Sequence, residues 1–455
     1  MNHYDLPARR IPAGECDIVV AGGGTGGVFA ALAAARGGAR TVLIESKGYV
    51  GGIAVEGGTA LHSFYNLYTA FEGVARRQLV AGLPQEFIDR LASAGGTCGH
   101  APMIGGFCYD SVCTAIDTEI YKLVALEMLR ESGVQVRLNT LLTGAIREGS
   151  RVAGVVAASH QGSEALMARS FIDCTGYGDL CAQAGARFTE PNDHPVANSI
   201  GVGGVSVEGY HEFLRKHDAV VDYAEAARDG QPNRIVRVSG DNRKLPEEMQ
   251  SIIRQIGMHT VITTLHDGYF MFLKLNVRMP VSPTDRDAAA QAELELRQRQ
   301  IKAVEMFRRF VPGCEKAFVA RSSPSLCIRR GRTIECDYDI SNRDIISGAH
   351  FEDDVLAYGF HDCAPRLQVA GGGSYGLPYR AMLVSGIDNL YATGMMITSD
   401  FEAHMSTRNT VSCMAQGQAA GTAAAICARR SMGSRDLRYS DLRQALLAGG
   451  VVLEN

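Results

Sequence analysis

The residues best suited to chemistry in this 455-residue chain form one compact group and several scattered ones. Gly22, Gly24 and Gly27 have the spacing G-x-G-x-x-G, with Thr25 and Gly26 between them, and Glu45 lies 21 residues after Gly24. Glycines so spaced let the chain turn tightly and bring backbone N–H groups against a pyrophosphate. A carboxylate at that distance can accept both hydroxyls of an adenosine ribose. The chemistry implied is capture of a dinucleotide. Arg329 and Arg332 lie three residues apart, a spacing that puts two guanidinium groups on one helical face or together in a turn. There they can clamp a carboxylate bidentately, although an interdomain ion pair is an equally good use of them.

The elements that must position the glycines can be read around them. Asp17-Ile18-Val19-Val20-Ala21 is a short apolar run suited to a buried parallel strand. An alanine-rich helix runs from the glycines to about Arg36, with Gly37-Gly38 as its stop signal. Thr41-Val42-Leu43-Ile44 reads as the second strand and delivers Glu45. Strand, glycines, helix, strand and acid in register are far more specific than the glycines alone. Gly371, Gly373 and Gly376 repeat the glycine spacing, but Pro378 comes at once and no helical pattern opens. That segment reads as a glycine-rich loop, so no built-in NAD(P)H domain is expected.

Composition narrows the rest. A formal net charge of -4 with no run of Lys or Arg gives no footprint for nucleic acid or an anionic membrane. The 12 cysteines include no C-x-x-C pair, so zinc and iron–sulfur spacings are absent and no metal site is expected. Residues 1–16 lack the apolar core of a signal peptide, and no stretch reads as a membrane span. The expectation is a cytoplasmic protein with reduced thiols.

The residues after Glu45 separate the dinucleotides. Ser46 leads to Gly51-Gly52, six residues beyond the acid, which resembles the extended FAD fingerprint of flavoproteins related to fumarate reductase and glutathione reductase. Asp173-Cys174-Thr175-Gly176 and Ala392-Thr393-Gly394 both resemble the strand-ending Thr-Gly turns that bring such chains back beside the cofactor. Further matches are Gly176-Tyr177-Gly178-Asp179, Arg329-Arg330-Gly331-Arg332, Gly376-Leu377-Pro378 and Gln416-Gly417-Gln418-Ala419-Ala420-Gly421. Together they resemble the broad FAD-dependent oxidoreductase family over about residues 17–452, most weakly at 60–115 and 200–320. The resemblance implies FAD as cofactor, held by Gly22, Gly24, Thr25, Gly26, Gly27, Glu45, Ser46, Gly51, Gly52, Leu142, Thr175, Gly176 and Gly394. It also implies that the polar loop 400–408 passes near the flavin edge. His404 there can exchange a proton or bond the flavin, and Arg408 can hold flavin charge or a substrate carboxylate. A structural cap and a structural ion pair are the plainer uses of these two. His62 reads as an ordinary pocket or surface histidine. Covalent flavin attachment is its less favoured role, and Cys98, Cys108 and Cys113 are weaker alternatives.

The expected fold is a discontinuous Rossmann-like α/β FAD domain, a parallel sheet plus β-meander, at 14–60, 115–200 and 370–430. An α+β substrate or cap domain is expected at 61–114 and 201–369, and a helical tail at 431–455. Strands are expected at 134–139, 141–147, 151–159 and 164–174, a charged and mainly helical block at 200–370, and an amphipathic helix at 289–310. The expected function is a dehydrogenase or oxidase that passes hydride between a carbon of a small organic substrate and flavin N5. The electron acceptor is unknown and a homo-oligomer is one option. A fumarate-reductase-like reductase of an activated C=C bond is the alternative, and an electron-transfer or assembly module is the non-enzymatic one.

Overall fold

The computed structural model describes residues 10–57, 60–105 and 110–453. At its centre is a five-stranded, wholly parallel sheet. The strand β1 (Ile18–Ala21) leads into α1 (Thr25–Arg36) and β2 (Thr41–Ile44). α2 (Thr118–Glu131) precedes β3 (Gln135–Arg137), and β4 (Ser170–Asp173) and β5 (Leu390–Ala392) complete the sheet in the order β5-β4-β1-β2-β3. All four residues of β1, β2 and β4 are buried, as continuous apolar strands covered on both faces require. The Asp117 side chain caps α2, accepting from the N–H groups of Glu119 and Ile120 at 2.8 and 3.1 Å.

The helix α3 (Thr410–Arg430) closes the layer over α1. Its two glycines make the contact. A Cβ on Gly417 would lie 2.1 Å from the Gly26 carbonyl oxygen, and one on Gly421 2.1 Å from that of Ala30. Only hydrogen fits at either point.

The expected meander is present as Leu141–Glu148, Arg151–Ser159 and Gly162–Met167, joined by Ala13–Glu15. The run expected as one strand at 164–174 divides in two. Its first part ends in the meander, while Ser170–Asp173 crosses to pair with β1 and β5.

The block expected to be mainly helical combines its helices with antiparallel strands. Val220–Arg228 and Gln231–Gly240 form a long hairpin in a six-stranded sheet that also takes in Leu61–His62, Ala101–Gly105 and Val112–Thr114. Val196–Gly203 pairs with Tyr269–Val277 and Phe318–Ser322. Buried charges in these strands, Asp222, Arg228 and Arg237, break the alternation that the sequence would otherwise show. The long helix, Arg286–Phe310, starts three residues earlier than expected because Asp285 caps it. The second glycine motif enters the strand Tyr375–Pro378, paired antiparallel with Asp354–Tyr358, and leads only into a single 3₁₀ turn. Among the described residues no helix is long and apolar enough to cross a membrane.

Candidate active site

A cavity of about 1340 Å³ opens where β1, β4 and β5 end. It exceeds the ~300–1,000 Å³ of common small-molecule pockets, so a dinucleotide can share it with a second molecule. Gly22, Gly24, Thr25 and Gly26 line it, together with Glu45, Ser46 and Gly52 from the β2 side. Leu142, Thr175, Gly176 and Gly394 line it as well.

Two of the expected cofactor residues do not. Gly27 serves packing instead, since a Cβ there would stand 1.8 Å from the Gly22 carbonyl oxygen. Gly51 is a brace. Its N–H donates to the Gly23 carbonyl at 2.9 Å, and its own carbonyl accepts from the Thr25 hydroxyl at 3.2 Å.

The remaining cradle suits FAD in its donor set. Gly22 has φ +94°, which an L side chain resists, and so turns the chain at the sheet edge. α1 starts from Gly24 with no side-chain cap and no acidic residue in its first turn, leaving its first N–H groups for an anion. The Glu45 carboxylate is fixed by the N–H groups of Gly23 (2.7 Å) and Lys47 (2.8 Å) and by the Ser46 hydroxyl (3.1 Å). Asp173 is a residue the sequence reading does not single out. Fully buried, it accepts from Thr175 N and Oγ1 and from Cys181 N, and so shapes the Thr175-Gly176 turn; burial raises its carboxyl pKa. Gln416 likewise latches the opposite wall. Its Oε1 accepts from Gly394 N at 2.6 Å and its Nε2 donates to the Thr407 carbonyl at 2.9 Å.

The four expected catalytic residues separate. Arg329 and Arg408 line the cavity, whereas Arg332 and His404 do not. The segment carrying Arg329 to Arg332 is not helical, so successive arginines diverge. Arg329 donates to the Pro195 carbonyl and to Asn276 Oδ1, each at 2.8 Å. Arg330 is buried and ties Asp193 to the carbonyls of Thr398 and Ser399, all at 2.7 Å. Arg332 pairs with Asp179 at 2.8 Å and Glu190 at 3.3 Å, the plain ion-pair role.

The expected polar loop at 400–408 is a short helix, Phe401–Thr407, capped by Asp400. It turns His404 inward, fully buried, where Nε2 donates to the Met395 carbonyl at 3.1 Å. Burial, then the charges of Arg330 and Arg408, push its pKa well below the usual range, so it stays neutral. It does not line the cavity, so it is not placed to exchange a proton with a molecule bound there. Its place at the cavity wall falls to Met395 and to His194, whose ring lies 4.9 Å from that of His404.

Residues from the antiparallel sheets and their flanking loops supply what the sequence reading misses. Lys274, Asn276, His259 and Asp362 line the cavity alongside Arg329, and Arg408 pairs with Asp362. His62 also lines it, its ring stacked on Phe360 at 5.7 Å, and Nδ1 lies 2.9 Å from Asp110 Oδ2. Asp110 is buried and held in turn by Ser63 N and Ser111 N at 3.1 and 2.8 Å. Cys98 and Cys113 do not line the cavity, and Cys108 lies outside the described residues.

A parallel sheet with a glycine turn, a capless helix and a fixed acid at its carboxyl edge defines an α/β dinucleotide-binding enzyme. The chain belongs to the FAD dependent oxidoreductase family, whose model matches residues 17–446. It is therefore an FAD-using oxidoreductase. No curated protein matches it. Among solved structures it is similar to a geranylgeranyl bacteriochlorophyll reductase-like protein from Thermoplasma acidophilum. Identity there is 12%, with 96% of this chain and 83% of that one covered and a TM-score of 0.49. It is also similar to p-nitrophenol 4-monooxygenase from Pseudomonas putida, at 13% identity, 96% and 87% coverage and a TM-score of 0.49. A third is the myxobacterial chondrochloren halogenase, at 12% identity, 95% and 78% coverage and a TM-score of 0.48.

Proposed function

We propose that this enzyme oxidises a small organic molecule, as a dehydrogenase or oxidase, by removing hydride from a substrate carbon. The observation that supports the reading is one cavity continuous from the cradle at Gly22, Gly24 and Gly26 to the polar residues Lys274, Arg329 and Arg408. FAD bound in the cradle supplies the two-electron acceptor. The protein's own residues must orient the substrate and take a proton, since an alcohol or amine loses its O–H or N–H proton as hydride leaves carbon. We assign that proton to His62. Asp110 beside Nδ1 selects the tautomer with the proton on Nδ1 and the lone pair on Nε2. We also assign the antiparallel sheets to the substrate-facing cap and the parallel sheet with its meander to the FAD domain.

A second reading, reduction of an activated C=C bond, is favoured by the same three cations, which would hold the activating acid or carbonyl. The test is anaerobic. Oxidised enzyme is mixed with a panel of alcohols, amines and hydroxy acids, and reduced enzyme with enoates, while the flavin absorbance is followed. Bleaching by a member of the first panel supports the proposal, and reoxidation by an enoate alone supports the reductase. A folded protein that takes up no flavin would remove the basis of both.

A further inference from the structure

Lys274, Arg329 and Arg408 reach the cavity from separate elements, and the first of them binds nothing among the described residues. Lys274 and Asn276 alternate along Tyr269–Val277, so both side chains leave the same face of the strand. Arg329 bonds Asn276 Oδ1, which brings its guanidinium next to Lys274. Arg408 pairs with Asp362, while its buried Nε has no hydrogen-bond partner. Lys274 is half-buried, and among the described residues its ammonium makes neither a hydrogen bond nor an ion pair. The three donors of that ammonium therefore face the cavity, open to an acceptor that enters it.

We propose that Lys274 and Arg329 form the seat for a carboxylate of the substrate, with Arg408 and Asp362 closing its far side. A carboxylate suits the geometry because its two oxygens can accept from two neighbouring cations at once. The proposal rests on the cavity being the substrate site, and it adds the class of molecule bound there.

The seat carries its own pH signature. Burial and the neighbouring Arg329 and Arg408 lower Lys274 to about 8, against the opposing pull of Asp362 and, more weakly, Cys327. His259, whose backbone N–H donates to the Lys274 carbonyl at 3.0 Å, sits beside it on the adjoining segment, and its pKa is lowered to about 4 by burial and then by Lys274 and Arg329. A carboxylate binds the ammonium form, so affinity is full below about pH 8 and falls as the lysine deprotonates above it.

Calorimetric titration of the FAD-loaded enzyme with acetate, succinate and inorganic phosphate, at fixed ionic strength, tests the assignment. Succinate and acetate are both expected to bind, and succinate to weaken progressively above pH 8. Lys274→Met should weaken it at least tenfold with flavin content unchanged. Lys274→Arg, which keeps charge at every pH, should bind succinate with no loss above pH 8, and so serves even where the Met variant folds poorly. Absence of carboxylate binding, binding of phosphate alone, or an unchanged succinate affinity in Lys274→Met would each overturn the seat. Succinate binding without bleaching by any substrate panel would keep the seat and defeat the oxidation reading. Bleaching by uncharged alcohols with no carboxylate bound would do the reverse.

Discussion

In the cradle, a stretch of 24 residues from Gly22 to Glu45 supplies both the backbone donors and the acid. The neighbouring chamber takes Lys274, Arg329, Asp362 and Arg408 from four separated stretches of chain. The cradle offers backbone N–H groups and one fixed carboxylate, whereas the chamber offers charged side-chain ends. A backbone site tolerates many sequences provided the glycines remain; a side-chain site changes its ligand with one substitution. The fold thus keeps the cofactor constant and leaves the substrate open to change.

Breaking the cradle should have the largest effect. Gly27→Val places a Cβ against the Gly22 carbonyl, backbone against backbone, and is expected to abolish flavin retention, read from the ratio of flavin to protein absorbance. Glu45→Ala removes acceptors from two backbone N–H groups. At about 1.5–3 kcal/mol for a charged hydrogen bond, FAD affinity should fall roughly ten- to hundredfold. Measured by flavin fluorescence on release, a loss of less than threefold would mean that Glu45 is merely structural.

Next in size is a contrast within one motif. Arg329→Ala should weaken succinate binding at least fivefold, while Arg332→Ala should leave it unchanged and lower the melting temperature slightly. The Arg332 pair is worth only ~0–1 kcal/mol, because Asp179 and Glu190 are partly exposed. Equal effects of the two substitutions on binding would erase the distinction drawn between them.

A further effect concerns acid. His194 and His404 are buried in the folded chain. Burial, against the bond from Asp193, lowers His194 to about 4, and burial holds His404 well below its ordinary value. Both are neutral when folded, but take up protons below about pH 6.5 when unfolded. The stability they carry is present above pH 6.5 and lost as pH falls towards 4, at up to ~1.4 kcal/mol per pH unit for each. His404→Gln should flatten the fall in melting temperature between pH 6.5 and 5. An unchanged slope would show that carboxylates alone govern it.

The cradle is legible in the sequence because its signals are local: Ile18 to Ala21 must be a strand, Gly22 a turn, and Glu45 sits at a fixed distance. Sequence spacing puts Arg329 and Arg332 together, yet only Arg329 reaches the cavity, because a three-residue interval has meaning only once the segment is known to be helical. His404 and Arg408 read as one loop, yet the short helix sends one into the core and the other to the cavity. Lys274 does leave a trace. It is the one charged residue in the otherwise apolar Phe270-Met271-Phe272-Leu273-Lys274-Leu275, where burial should exclude it. Pairing it with Arg329 and Asp362 requires strand partners that single-sequence reasoning does not supply.

The crossing of α1 and α3 bears on when this enzyme comes into being. The helix that starts at Thr25 finds its partner only in residues 410–430, so the carbonyls of Gly26 and Ala30 wait nearly the whole length of the chain for Gly417 and Gly421 to cover them. Gln416, which latches the Gly394 turn, arrives with the same helix. During synthesis from the N-terminus the glycine turn is therefore made first and enclosed last. Enclosure of the glycine turn depends on contacts that only residues 410–430 supply.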